Sequence, residues 1–170
     1  MSTELFKTRR SIKKFKPQQI TDRELDLILE AGTYAPTGRN KQSPIIVAVQ
    51  NPEIIKQIAK ANVAVMGMAS DPFYGAPTVV IVFADKDCHT GVEDACLVAG
   101  NILNAAHAVG VGACWIHRAR EVFDTPFGRS LMRECGIPEQ YYGVANCILG
   151  YADTVPECRP RKENYIIKVK

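Results

Sequence analysis

Thr8-Arg9-Arg10-Ser11-Ile12-Lys13-Lys14-Phe15 places two arginines, a hydroxyl and two lysines within six positions, just ahead of Lys16-Pro17. These are donors for a phosphate-type anion. Arginine forks match its charge and shape, and a serine hydroxyl adds a neutral donor. The far end of the chain repeats the theme in Arg159-Pro160-Arg161-Lys162. Either run alone reads most simply as a solvated face. Two such runs at opposite ends of one small chain suggest a fold that brings both to one anion.

Two further stretches can contribute to a site. Ala35-Pro36-Thr37-Gly38-Arg39-Asn40-Lys41-Gln42-Ser43-Pro44 offers a hydroxyl at Thr37, a flexible backbone at Gly38 and amides at Asn40 and Gln42. Amides donate and accept at once, which suits the mixed edge of a heterocycle. The plainer alternative is a polar surface loop. Gly110 to His117 reads as a buried strand that delivers the only tryptophan, Trp115, and ends at Ile116-His117-Arg118. Strand ends in open sheets are where ligands tend to lie. Against that, Trp115 also fits a core aromatic and His117 a surface histidine. His107, in a long apolar helix, is expected to be hydrogen-bonded within the core. No Ser-His-Asp or Cys-His pairing follows from spacing, so covalent catalysis by a side chain finds no support. The absence of G-x-G-x-x-G and of a Walker loop disfavours a Rossmann dinucleotide site or an NTPase.

The elements that must position these residues can be read from local signals. Thr21-Asp22-Arg23-Glu24 is a capping box, and the apolar spacing after it predicts a helix from about Asp22 to about Tyr34. Ile45–Val49 and Thr78–Ala84 are branched apolar runs that read as buried strands. Asn51-Pro52-Glu53 starts a second helix that continues through Ala59 and becomes unclear from Val63 to Tyr74. There Met66-Gly67-Met68 reads as core filling rather than a cofactor box. Thr90-Gly91-Val92-Glu93 reads as another capping box, opening the longest helix, Val92 to about Val109. That helix is apolar on most faces, so it should pack against a sheet on one side and a second copy of the chain on the other. Gly110 closes it. Val111–Ile116 is a third strand, Pro126 to Glu134 a helix, and Tyr142–Leu149 a fourth strand. Tyr165–Val169 reads as a terminal strand that pairs with a neighbouring subunit.

The bulk numbers bound the class. The 170 residues are 46% apolar and 23% charged, as in an ordinary globular protein with a real core. With no repeat, low-complexity stretch or domain boundary, residues 1–170 are expected to form a single domain of α+β class, with one central sheet and helices around it. A net charge of only +3 argues against a general nucleic-acid binder. No apolar run is long enough to span a bilayer, and Met1-Ser2-Thr3-Glu4-Leu5 lacks the regions of a signal peptide, so the expected location is cytoplasmic with no membrane partner. The six cysteines show no C-x-x-C pair and no zinc spacing, so neither a disulfide framework nor a metal site is expected. Cys96, Cys114 and Cys147 read as small core residues.

Taken in order, Arg9-Arg10-Ser11-Ile12-Lys13, Ala35 to Gln42, Gly100-Asn101, Gly112-Ala113-Cys114-Trp115-Ile116, and Leu149-Gly150-Tyr151 with Arg159-Pro160-Arg161-Lys162 resemble the nitroreductase family of flavoproteins, in its short subgroup. The resemblance covers essentially the whole chain. It implies a mostly antiparallel central sheet flanked by helices. It also implies a homodimer with two FMN at the subunit interface and a C-terminal arm exchanged between the two copies. The implied activity is an FMN-dependent oxidoreductase passing hydride from NADH or NADPH, by a ping-pong scheme, to a nitro compound, quinone or similar small-molecule electron acceptor. A flavin-binding carrier or sensor without turnover is the alternative.

Carried over by position, Arg9 and Ser11 would hold the FMN phosphate and ribityl region, with Arg10 alongside and Lys13 near the pyrimidine edge. Pro36, Thr37, Gly38 and Asn40, with Gln42 in the same loop, would come from the other subunit. Trp115, Ile116 and His117 would line the ring, and Arg159 and Arg161 would complete the phosphate clamp. No residue is expected to be catalytic in its own right, because the cofactor carries the chemistry. Two departures stand out. Ser43-Pro44 follows Gln42 where the family commonly has Pro-aromatic, and His117-Arg118 stands where many members have glycine. The second would put a cation near the active slot, favouring anionic acceptors or NADPH.

Overall fold

The computed structural model describes residues 3–67 and 69–170. Its centre is an antiparallel sheet of β1 (Ile45–Val49), β2 (Thr78–Asp85), β3 (Gly112–Ile116) and β4 (Tyr141–Gly150), in the order β1-β2-β4-β3. All three pairings are antiparallel, as the resemblance implies. β2 is buried along its length up to Asp85, which is why it reads as an unbroken apolar run rather than an alternating one. Its alternate residues supply two cores. Val80, Val82 and Ala84 pack with α2 (Asp22–Thr33) and α4 (Gly91–Ala108). Val79, Ile81 and Phe83 pack with α3 (Pro52–Met66), α5 (Ala119–Asp124) and α6 (Pro126–Glu134) on the other face.

Three of the four longer helices start on their local capping chemistry. Thr21 and Glu24 form the reciprocal capping box of α2. Asn51 Oδ1 accepts from the Glu53 and Ile54 amides at 3.0 and 3.2 Å, and Thr125 Oγ1 accepts from Gly128 at 3.1 Å. The box expected at Thr90 does not form. Its hydroxyl turns instead to Asp94 Oδ2 at 3.0 Å, because Asp94 faces inward while Glu93 is exposed. At the far end of α4, Gly110 adopts φ +82, and Val111 N–H reaches back to the Ala106 carbonyl at 2.8 Å, closing the helix as expected.

Other expectations are corrected by packing. α3 runs on to Met66, which is 37% exposed and fills no core, and Met68 lies outside the described residues. Cys114 and Cys147 are core residues, but Cys96 is only half-buried on the outer side of α4. His107 is also half-buried, and its Nε2 sits 2.9 Å from Thr8 Oγ1, tying α1 (Glu4–Thr8) to α4 at the surface. α1 and α5 are too short to carry a periodic signal. Residues 165–169 form no strand within the chain; Ile166, Ile167 and Val169 are 75%, 84% and 93% exposed. α4 buries Ala95, Val98, Ala99, Ile102 and Ala106, but Val92 and Leu97 remain open on its outer face. Among the described residues no helix is long and apolar enough to cross a membrane.

One contact ties the start of α2 to the end of β4. Tyr151 O–H donates to Glu24 Oε2 at 2.7 Å, beside the Thr21 amide and hydroxyl at 2.8 and 2.7 Å. Tyr151 first, and Thr21 second, hold the Glu24 carboxyl below its ordinary range. A carboxyl depressed on folding stabilises the fold above its unfolded pKa, and that contribution is lost as pH falls through the folded value. Tyr151→Phe should therefore flatten the acid limb, measured as the urea midpoint between about pH 6 and about pH 3. A parent-like slope would show that this contact does not carry it.

Candidate functional site

The N-terminal basic segment is a strap laid along the sheet. Ser11 forms a parallel bridge with Ala113, and the Ile12 amide donates to the Ala113 carbonyl at 3.0 Å. Further on, Lys16 N–H reaches Tyr151 O and Asp153 N–H reaches Lys14 O, both at 2.9 Å. Extended backbone alternates its side chains. Ile12 is 4% exposed and turns inward, whereas Ser11 and Lys13 are exposed. Ser11 is thereby set beside Cys114, the residue that follows its bridge partner. Burial pushes the Cys114 thiol up, opposed by the Ser11 hydrogen bond and by the charges of Lys13 and Arg9. Arg9 and Arg10 line a groove of about 240 Å³ floored by Gly112 and Ala113. Lys13 Nζ lies 5.7 Å from the centre of the Tyr74 ring.

The C-terminal arm returns to this strap. Arg161 Nη2 lies 3.6 Å from Cys158 Sγ. The Arg161 hydrogen bond lowers the Cys158 thiol, opposed by burial, with the Arg10 charge acting in the same direction as Arg161. Arg10 and Arg161, from opposite ends of the chain, thus both act on the Cys158 thiol. The Arg159 side chain is exposed, and only its carbonyl joins the group, accepting from the Cys158 thiol at 3.5 Å.

The amide-bearing loop lies elsewhere. Pro36, Asn40 and Gln42 are exposed, and Thr37 and Gly38 are half-buried. The loop is closed by Gln42 N–H to Thr37 Oγ1 at 3.0 Å and Gln42 Nε2 to Asn40 Oδ1 at 3.1 Å. Gly38 N–H donates to Asp94 Oδ1 at 2.9 Å, which docks the loop on the first turn of α4. Thr8 and Arg9 sit near His107 in the last turn of that helix. At about 1.5 Å per residue the two halves of the expected site are roughly 20 Å apart along α4. One chain therefore holds Arg9 and Arg10 at one end of α4 and Thr37, Gly38, Asn40 and Gln42 at the other.

β3 presents alternate faces. Trp115 is half-buried against the α2 and α4 layer, Ile116 is buried in the opposite core, and His117 is exposed. Only the backbone of Ile116 is left to meet a ligand. The His117 carbonyl accepts from the fully buried Asn62 Nδ2 at 3.0 Å. Arg118 adopts φ +75, a conformation that favours glycine, and pairs with Glu121 at 2.7 Å. Its charge is shared with that carboxylate, which Arg118 holds below its ordinary range. Asp94 and Asn62 were not among the expected site residues. Asp94 had one legible signal, an acid on the otherwise apolar inner stripe of α4. Among the described residues no cluster of His, Cys, Asp and Glu could hold a metal ion.

An antiparallel four-stranded sheet with helices on both faces, carrying a basic strap on an edge strand, defines an α+β protein with donors for an anion at one sheet edge. Comparison narrows it. The family model "Nitroreductase family" matches residues 6–67 and 63–151. The chain belongs to the nitroreductase family. A nitroreductase with bound FMN from Bacteroides fragilis superposes with a TM-score of 0.90 and 26% identity, covering 98% of this chain and 97% of that one. A second such structure, from Desulfitobacterium hafniense, gives a TM-score of 0.88 over 100% of both chains at 24% identity, a likeness of fold. A Methanothermobacter thermautotrophicus protein provisionally named NADH dehydrogenase/NAD(P)H nitroreductase is 31% identical over 66% of this chain and 58% of its own length. The NADPH-flavin oxidoreductase of Vibrio harveyi is 26% identical over 93% of this chain and 68% of its own.

Proposed function

We propose that this protein is an FMN-dependent oxidoreductase that takes reducing equivalents from NADH or NADPH and passes them, in a ping-pong cycle, to a nitro compound, quinone or similar acceptor. The observation that carries this reading is the strap on β3. It seats Ser11 against Ala113 and lines one groove with Arg9 and Arg10. That donor set fits a phosphate monoester, which carries close to two negative charges near neutral pH. Bound FMN would supply the hydride chemistry. The chain's own part is to clamp the phosphate, set a cation at the ring edge through Lys13, and present the backbone of Trp115, Ile116 and His117 along the ring. The shared charge of Arg118 makes it a modest rather than a free cation for an anionic acceptor.

The same reading includes a homodimer. The two halves of the site lie roughly 20 Å apart along α4 in one chain. Antiparallel packing of the open α4 face, with Val92 and Leu97, on that of a second copy would bring one copy's loop to the other's strap. Among the described residues β1 has no outer neighbour in the sheet, and the exposed run Tyr165–Val169 of a second copy suits that edge, which is the arm exchange expected above. A single domain in the cytoplasm completes the proposal.

Anaerobic titration of the FMN-loaded protein with NADH and NADPH tests it. Bleaching of the flavin band, and its return when a quinone or nitroaromatic is added, is the expected result. Flavin that binds but is not bleached would favour the carrier reading, and protein that ignores FMN would end both.

A further inference from the structure

We propose that Asp94 is a positioning residue that presets the loop of residues 36–42 for the flavin, acting through Gly38; this rests on the FMN reading above. Asp94 is 3% exposed and has no cationic partner among the described residues. Its two oxygens are taken by donors from three places. Oδ1 accepts from Gly38 N–H at 2.9 Å, and Oδ2 accepts from Thr90 Oγ1 at 3.0 Å and from the Cys88 thiol at 3.9 Å. Its neighbours on the buried stripe of α4 are Ala95, Val98, Ala99 and Ile102. An apolar residue would serve that stripe at less cost, because burying a carboxyl is unfavourable unless donors compensate it. The helix N-terminus lowers the cost in part. What the carboxyl adds is a fixed acceptor aimed at a loop 56 positions away in sequence.

The loop depends on such an anchor. Arg39, Asn40 and Gln42 all lie at positive φ, near +54, +54 and +50. L side chains disfavour that region, so three such residues in four positions persist only when surrounding contacts impose them. Gly38 seats directly on the helix start: a Cβ there would overlap the Thr90 side chain. Thr90 and Asp94 thus form the floor on which the turn is built. Pro36, Thr37, Asn40 and Gln42 project from it, and these are the residues the FMN reading sends to the other subunit's flavin. Asp94 touches none of the reacting atoms in this arrangement. Its contribution is that the loop is already shaped before the cofactor arrives, which spares ordering cost on binding.

The test uses the full-length protein with Asp94→Ala and Asp94→Asn. Two readouts are taken: hydrogen exchange at the Gly38 amide without cofactor, and FMN affinity by quenching of flavin fluorescence. Asp94→Ala should speed Gly38 exchange and weaken FMN by about tenfold or more, equivalent to about 1.4 kcal/mol. It should also change the visible circular dichroism of FMN at saturation. Asp94→Asn keeps a carbonyl toward Gly38, so it should recover most of the affinity and the parent dichroism. Parent-like Gly38 exchange or parent-like FMN affinity in Asp94→Ala would overturn the proposal. If that variant does not fold, Gly38→Ala displaces the loop and leaves Asp94 in place; it should weaken FMN similarly, and unchanged affinity would overturn the proposal. If the parent itself ignores FMN, the flavin reading fails on its own, and Gly38 exchange still decides whether Asp94 anchors the loop.

Discussion

Arg9→Ala is expected to weaken FMN binding by about tenfold to about a hundredfold with little change in fold stability. The size is that of the charge-assisted, two-pronged contact proposed for Arg9, about 1.5–3 kcal/mol, at a half-buried position. Arg9 lines the groove over Gly112 and Ala113 beside Arg10, so its loss opens the centre of the donor set. Its backbone role, an amide donated to the Leu5 carbonyl at 3.3 Å, survives in alanine. Arg9→Lys should fall between, since an ammonium keeps the charge and loses the fork. The parent's affinity should decline more steeply with added salt than the alanine variant's, because salt screens the charge that only the parent has. Fluorescence titration at two ionic strengths reads both effects. Affinity within about twofold of the parent at low salt would remove Arg9 from the phosphate site.

Phe83→Ala should be the most damaging single truncation, costing about 3–5 kcal/mol of a total stability that for ordinary domains is about 5–15 kcal/mol. Phe83 is 1% exposed in the central strand. Its ring meets Phe123 edge-on, with centroids 4.9 Å apart and planes at 73°, and so joins β2 to α5. The β2–β4 register shifts between Val82 and Phe83, so the ring fills a place where the ladder is already interrupted. Neighbours held by a bulged strand and a short helix cannot close fully over the cavity, which places the cost in the upper part of the range. Urea unfolding should give a lower midpoint with a similar slope. A loss under about 1 kcal/mol would mean that this region collapses freely around the void.

Much of the architecture was legible because its causes are local. The Thr21–Glu24 box, the Asn51-Pro52 start, the branched runs of β1 and β2 and the Gly110 stop each depend on residues within a turn or two of one another. The basic strap was legible in the same way, as a cluster of donors. Where a local rule met a tertiary partner, the partner prevailed. Thr90 gave up its cap for Asp94, Met66 stayed in solvent, and Tyr165–Val169 found no strand to join within its own chain.

By itself, then, the sequence determined the four longer helices and the four strands, which of their faces are apolar, and that anion donors gather at both ends of the chain. Only the tertiary structure decided the strand order β1-β2-β4-β3, the laying of Ser11 against Ala113, and the docking of Gly38 on Asp94. It alone placed the strap and the loop at opposite ends of α4, which makes a second copy part of the proposed site. The physical reason is one of range. Periodicity and capping act over a few residues and state that a face must be buried. The choice of what buries it is made by packing between segments far apart in sequence, where several apolar faces would serve almost equally well until shape and buried polar partners select one.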